Sequence, residues 1–173
     1  SDVCSSDLTA ITHTQGDASA TGNGTIAFTY VVDTTAPTVS AVETQATAGI
    51  YRAGAVIPVV VSFSEPVNVT GTPTLTLNLG TRTLALPYQS GSGTANLQFS
   101  YTVANGDLTP ALETTGTNAL SLAGGSIKDL VGNVAAITLP SPGAANSLSG
   151  PYNVAIDAAD RKSTRLNSSH EWI

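Results

Sequence analysis

The amino-acid sequence predicts an all-β protein, an antiparallel β-sandwich of about seven short strands. Apolar residues alternate with polar or small residues along most of the chain, which is the period of a half-buried strand. Clusters of glycine, proline, serine and asparagine interrupt this alternation and are typical of turns. No segment keeps a helical period for three turns, so the pattern favours a sandwich.

The alternating segments follow one another at short spacing. The first runs from Ile26 to Val32, and a breaker at Ala36-Pro37 separates it from the next. Further predicted strands lie at 38–43, 57–64, 75–79, 84–86, 97–103, 120–122, 137–139 and 154–156. Predicted turns at 71–73, 90–93, 105–107 and 124–125 lie between them. We expect the aliphatic residues of these strands to form the core.

Composition excludes several classes of function. Charged residues make up 10% of the 173 residues, against about 25% in typical globular chains. The formal net charge of −6 argues against nucleic acid or an anionic membrane as a partner. No apolar run reaches the length of a membrane-spanning helix. The single cysteine, Cys4, can form neither an internal disulfide nor a zinc cluster.

Both ends of the chain differ from the rest. Residues 160–173 hold three of the six basic residues and the single Trp, and residues 1–8 hold the single Cys. Both segments resemble translated short-read sequencing adapters, because 160–170 back-translates to an adapter sequence and 1–8 to its other strand. We therefore expect these two segments to be artefactual, and residues 9–159 to be natural sequence from a truncated gene fragment.

Two short internal sequence similarities indicate tandem related units. Val32-Asp33 ends one predicted strand, and Ile156-Asp157 ends another 124 residues later. A glycine-rich turn also precedes an aromatic strand twice, at 22–30 and at 91–101. Such self-similarity indicates repeated domains.

Several motifs resemble bacterial Ig-like repeats. Asp33-Thr34-Thr35-Ala36-Pro37 is similar to their linker, and Phe63-Ser64-Glu65-Pro66-Val67 to the region after their second strand. Tyr101–Asp107, Thr115–Leu120 and Lys128–Asn133 complete the pattern in the same order. The resemblance covers nearly all of 33–157. One departure is Asp157-Ala158-Ala159, where the family usually continues with Thr-Thr-Ala-Pro.

The resemblance implies an Ig-like Greek-key sandwich and a division of the chain into units. Residues 9–32 would be the C-terminal fragment of a preceding Ig-like repeat, and 33–37 its linker. Residues 38–157 would be a complete repeat, and 158–159 the start of the next linker. Such repeats are found in very large secreted or surface-anchored proteins, often adhesins, where they act as stalk units.

The sequence contains few residues that could act in catalysis. Residues 9–159 contain one histidine, His13, which lies before the complete repeat, so that repeat cannot form a Ser-His-Asp triad. No glycine-rich phosphate loop precedes a lysine. A glycosidase needs two facing carboxylates in a sugar cleft, and residues 9–159 lack the tryptophans that usually line one. We expect no enzyme and no catalytic residue.

Calcium binding is a better candidate role for the carboxylates than catalysis. Ca²⁺ takes six to eight oxygen ligands. In an immunoglobulin-type strand order, Asp33, Glu65 and Asp129 meet at the junction with the preceding domain, where Asn133 braces the turn or adds an oxygen. Related Ig-like stalk repeats hold Ca²⁺ between domains, so the resemblance implies the same cofactor.

A purely structural interpretation of these residues stays open. The Asp33 side chain can cap a turn before Thr35, and Glu65 can mark a strand end that Pro66 closes. Residues 129–133 can be a plain turn.

Other polar and aromatic residues receive structural assignments. Asp107 and Glu113 are predicted to be solvated loop residues, and Tyr101 a core residue. A sugar-binding module would need exposed aromatic platforms on one face, whereas Tyr51, Tyr88 and Tyr152 are expected to pack over sheet edges.

The sequence thus predicts an extracellular, secreted or surface-attached spacer repeat whose partners are neighbouring repeats. The first alternative is an adhesive module that binds a carbohydrate or a host surface. The second is an accessory domain of a truncated secreted enzyme. Neither nucleic acid nor membrane insertion is expected.

Overall fold

The computed structural model describes residues 3–4, 8–16 and 25–159, and side-chain surroundings from residue 32 onward. Every regular element in these ranges is a strand. No helix among them is long and apolar enough to cross a membrane. The strands are β1 Val3–Cys4, β2 Leu8–Gly16, β3 Thr25–Asp33, β4 Val39–Thr44, β5 Gly49–Tyr51, β6 Val56–Thr70, β7 Thr74–Asn78, β8 Thr83–Pro87, β9 Thr94–Thr102, β10 Leu108–Thr109, β11 Glu113–Thr114, β12 Leu120–Ser121, β13 Ser126–Lys128 and β14 Val154–Asp157.

The chain forms an all-β, sandwich-like fold of mainly antiparallel sheets. Strand β6 is the centre of one sheet and pairs with β4, β9 and β13. Strand β7 is the centre of the second and pairs with β8, β11 and β12. A small third sheet joins β10, β14 and β5, where β5 and β14 run parallel. Strands β1, β2 and β3 form a separate antiparallel sheet.

The core lies between the inward faces of the sheets, as the alternation predicts. On β6, Ile57, Val59 and Val61 are fully buried. Side chains of the neighbouring strand β9 and of β7 in the second sheet complete the core, and none is more than 1% exposed: Leu97, Phe99, Tyr101, Leu75 and Leu77. Burial of each such side chain contributes about 1.5–3 kcal/mol, so the aliphatic stripe is the main source of stability.

Two strand predictions need correction. Residues 137–139 form no ladder: Leu139 is buried, and its N–H donates to the Thr117 carbonyl across 2.8 Å. The predicted strand at 57–64 is longer than expected, because β6 continues through Pro66 to Thr70. It continues because its register with β9 shifts between Ser62 and Val67, and a bulge tolerates proline. Glu65 therefore lies at a bulge inside a strand and not at a strand end.

The prediction that Asp107 and Glu113 are solvated is also wrong. Asp107 is 1% exposed and accepts hydrogen bonds from the Arg82 guanidinium, the Tyr101 hydroxyl and the Ala104 N–H, at 2.7–3.0 Å. These partners compensate the cost of burying a carboxylate. The network ties the loop after β9 to the core residue Tyr101.

Glu113 has the same role for the loop at 141–150. Its carboxylate accepts hydrogen bonds from the Ser147 hydroxyl, from the N–H and hydroxyl of Ser149, and from the N–H groups of Gly143 and Thr114. Burial raises the pKa of Glu113, but the Ser149 hydroxyl and the other donors lower it further, so the pKa lies below its ordinary value. Four donors from one long loop, together with the neighbouring Thr114 N–H, thus converge on one anion.

The chain enters and leaves the sandwich at opposite ends. At the entry end, Pro37 accepts a hydrogen bond from the Ala136 N–H, and Val39 pairs with Phe63 of β6. At the exit end, Ala158 exchanges backbone hydrogen bonds with Gly106 and Asp107, beside the start of β6. The seven residue steps from Val56 to Phe63 span roughly 23 Å at about 3.3 Å per residue. The entering segment at 37–39 and the exit at Ala158 are therefore separated by about the length of these strands.

Replacement of Glu113 by glutamine tests the buried anion. Because the folded-state pKa is lowered, the stabilisation is complete above the ordinary pKa of 4.5 and is lost as pH falls through the folded-state value. We expect Glu113→Gln to lose about 1–3 kcal/mol of unfolding free energy near pH 7. The difference from wild type should shrink below about pH 4.5. Urea unfolding across this range measures it.

The control is Glu43→Gln, which makes the same substitution at a half-buried strand position. Its difference from wild type should be smaller at neutral pH. A Glu113→Gln deficit that stays constant from neutral to acidic pH would contradict the role of the anion.

Candidate metal centre

Three carboxylates from distant parts of the chain meet at the entry end. Asp33 is the last residue of β3, Glu65 lies at the bulge of β6, and Asp129 follows β13 directly. Strand β13 pairs with β6 through Lys128 and Asn68, and the incoming segment pairs with the loop after β13 through Thr38 and Ala136. The pairing of β6 with both neighbours therefore brings the carboxylates together.

The geometry suits a divalent cation with oxygen ligands. One carboxylate oxygen from each of Asp33, Glu65 and Asp129 lies within 4.8 Å of the others. Two oxygens that bind one Ca²⁺ at 2.3–2.6 Å can be at most about 5 Å apart. Asp33 and Glu65 are half-buried, and Asp129 is 4% exposed. The donor set, three carboxylates without sulfur or imidazole, fits Ca²⁺ better than zinc or copper.

Asp129 also builds the turn that follows it. Its Oδ1 atom accepts hydrogen bonds from the N–H groups of Val131, Gly132 and Asn133, at 2.9, 2.6 and 2.8 Å. Gly132 has a φ of +106°, a conformation that favours glycine. Burial raises the pKa of Asp129, whereas the Asn133 side chain and the three backbone donors lower it to below its ordinary value. The group is therefore an anion at neutral pH.

Asn133 joins this turn to the incoming chain. Its Nδ2 atom lies 2.6 Å from Asp129 Oδ2 and 3.1 Å from the carbonyl oxygens of both Asp33 and Thr35. The sequence is compatible with Asn133 either bracing the turn or adding an oxygen ligand, and in the structure its side-chain amide donates. Asp33 Oδ1 accepts a hydrogen bond from the Thr35 N–H across 2.9 Å. Asp33 and Asp129 thus have the turn-building roles of the structural interpretation while they share a cluster with Glu65.

The remaining candidates lie elsewhere. His13 lies on β2 opposite Phe28, and its side chain is outside the described surroundings. The three tyrosines are half-buried and differ in their partners. Tyr51 donates its hydroxyl to the Thr47 carbonyl, and Tyr88 packs edge-on against Phe99. Tyr152 lies in a groove on another face. Adapter-like residues 1–2, 5–7 and 160–173 lie outside the described residues.

No protein-family model matches the chain, and neither the curated proteins nor the solved structures contain a significant match. Function is therefore inferred from the geometry of this chain.

Removal of the Asn133 side chain tests whether it holds the incoming segment. Asn133→Ala deletes three side-chain contacts but keeps the residue's backbone N–H bond to Asp129. We expect Thr35 amide hydrogen exchange to become about five-fold faster, since about 1 kcal/mol of hydrogen bonding is lost. Exchange at Gly132 should change little. NMR-detected hydrogen exchange measures both amides.

Asn118→Ala is the matched control, because Asn118 is an exposed loop residue outside this cluster. Equal exchange rates at Thr35 in the Asn133 variant and the wild type would show that the linker is held by other contacts.

Proposed function

We propose that this protein is a non-catalytic structural spacer, one unit of a rod of tandem Ig-like sandwiches in a secreted or surface-attached bacterial protein. The observation that supports this function best is the placement of chain entry and chain exit at opposite ends of the sandwich. A unit with this connectivity adds its full length to a chain of units, whereas entry and exit at one end would fold the chain back.

The contacts of the incoming segment support a stiff junction. The Thr38 N–H donates to the Ser64 hydroxyl across 3.0 Å, and the Pro37 carbonyl accepts the Ala136 N–H across 2.7 Å. Asn133 also binds the segment a few residues upstream, through the carbonyl oxygens of Asp33 and Thr35. Backbone fixed at four positions over six residues loses the freedom that a flexible linker needs.

Calcium at the three-carboxylate cluster would stiffen this junction further. The proposed ligands are one carboxylate from the incoming chain, Asp33, and two from the sandwich, Glu65 and Asp129. A shared cation would offset their mutual repulsion and tie the linker to two strands. At ten times its Kd, the ion would contribute about 1.4 kcal/mol to the stability of the folded state.

The exit end offers the start of a similar junction. Strand β14 ends at Asp157, just as β3 ends at Asp33. In a tandem array, Asp157 would occupy in the next junction the place that Asp33 occupies in this one. The exposed Leu130 and Val131 of the entry-end turn, 69% and 65% accessible, would contact the preceding unit.

The calcium proposal is tested by thermal unfolding of the full chain in millimolar Ca²⁺ and in EDTA. We expect Ca²⁺ to raise the midpoint by several degrees in the wild type, because the ion binds only the folded state. Glu65→Gln should abolish the gain. It is preferred to Asp129→Asn, which would also open the turn at 129–133. Glu43→Gln, the same substitution outside the cluster, should keep the gain.

Coincident wild-type curves in Ca²⁺ and EDTA would refute the metal site. A gain that survives in Glu65→Gln would refute these ligands.

The spacer proposal has its own test, which does not depend on calcium. Two copies of residues 33–157 joined in series should give a maximum dimension close to twice that of one copy in small-angle X-ray scattering. The reason is that entry and exit lie at opposite ends of the strands. A compact, side-by-side pair would contradict the spacer function, whether or not Ca²⁺ binds.

A further inference from the structure

The outward face of the central sheet carries a polar row across three strands. Glu43 of β4 is paired with Val60 of β6, which is paired with Gln98 of β9. Ser62 and Asn96 occupy the adjacent row, also paired with each other. Val60 faces outward between these polar neighbours, yet it is only 6% exposed. Surrounding side chains therefore cover most of Val60.

A segment distant in sequence also lines this face. Tyr152, from the segment before β14, lines an open groove of about 260 Å³ together with residues of the outward face. The other lining residues that matter here are Glu43, Gln45, Val60, Asn96 and Gln98. The groove therefore has an apolar floor, one aromatic wall and a rim of one carboxylate and three amides.

The rim keeps unused hydrogen-bonding capacity. The Ser62 hydroxyl lies 3.2 Å from Glu43 Oε2 and 3.0 Å from Asn96 Oδ1, which fixes both side chains from one side. Burial, the charge of Glu43 and a hydrogen bond to it raise the pKa of Tyr152, which stays a neutral phenol. Among the described residues, Asn96 Nδ2 and the side-chain amide of Gln98 have no hydrogen-bond partner. These amides can donate to a ligand.

This chemistry selects one class of ligand. A sugar hydroxyl both donates and accepts, so it can pair with the Glu43 carboxylate and with the amides of Asn96 and Gln98. The C–H face of a sugar ring is apolar and suits contact with Tyr152 and Val60. No lysine or arginine lines the groove, and Glu43 would repel an anion. The volume is slightly below the range of about 300–1,000 Å³ typical of ligand pockets, which fits a single ring.

We propose that this groove is a binding site for a neutral saccharide, and that it holds one sugar ring of a glycan between Tyr152 and the Glu43–Gln98 row. The site goes beyond the spacer function and does not depend on it, since the groove lies on the side of the sandwich and the carboxylate cluster at its entry end. A unit of the rod would then also be an adhesive contact.

The test is a titration of the full, isotope-labelled chain with methyl glycosides of glucose, galactose, mannose and N-acetylglucosamine, followed by two-dimensional NMR. We expect at least one glycoside to give saturable shifts of the Asn96 and Gln98 side-chain amides at millimolar concentration. Gln98→Ala should weaken this binding at least ten-fold, with its backbone spectrum otherwise preserved. Asn96→Ala, an exposed position, serves as a second variant if Gln98→Ala fails to fold.

Asn118→Ala, which removes an exposed amide elsewhere, should bind as the wild type does. Glucuronate is the anionic probe and should bind more weakly than the neutral glycoside of glucose. The proposal is overturned if none of the four glycosides gives a saturable shift, or if the shifts persist unchanged in Gln98→Ala or Asn96→Ala. Repetition of the titration in EDTA distinguishes saccharide binding from the proposed calcium binding.

Discussion

Strand β6 is the constraint on which the other parts of this structure depend. Its first half pairs with β4 on one side and β9 on the other, and its second half pairs with β13. The register shift near Pro66 lets one continuous strand serve both halves. Because β13 is attached to the far half of β6, the turn after it, with Asp129, reaches the incoming linker. The outward row that includes Val60 comes from the near half. One strand thus positions the carboxylate cluster and the groove.

Buried carboxylates join segments of this sandwich that are distant in sequence, as disulfides do in many small extracellular domains. Asp107 and Glu113 each accept hydrogen bonds from strands and from irregular segments. Every buried side-chain polar atom among the described residues has a partner. Such networks are stable only when fully satisfied, because an unpaired buried anion costs several kcal/mol. The irregular loop at 141–150, which buries Ser147 and Leu148, is therefore fixed by hydrogen bonds to one glutamate.

The sequence predicts the parts of this fold that depend on local periodicity. The alternation at 57–63, 75–79 and 97–103 corresponds to the buried strands β6, β7 and β9. The burial of Asp107 and Glu113 could not be predicted, because it depends in part on donors 25 to 36 residues away in the chain. The meeting of Asp33, Glu65 and Asp129 was predicted from an assumed strand order, and the structure brings them together. The role of the Asn96 and Gln98 amides could not be recognised from the sequence, since outward polar residues on a strand show the same alternation whether or not they line a groove.

The two proposals place different demands on the surface, and the structure can meet both. A junction needs its contacts at the two ends of the sandwich, where Asp33 and Asp157 lie. A saccharide site in a rod must remain accessible when neighbours are docked at both ends. The row from Glu43 to Gln98 satisfies this condition, because it runs across the strands on the side of the sandwich. Repetition of the unit would then present one groove per repeat along the rod. Weak single-ring binding would add up through multivalency, and stiff junctions would fix the spacing between grooves.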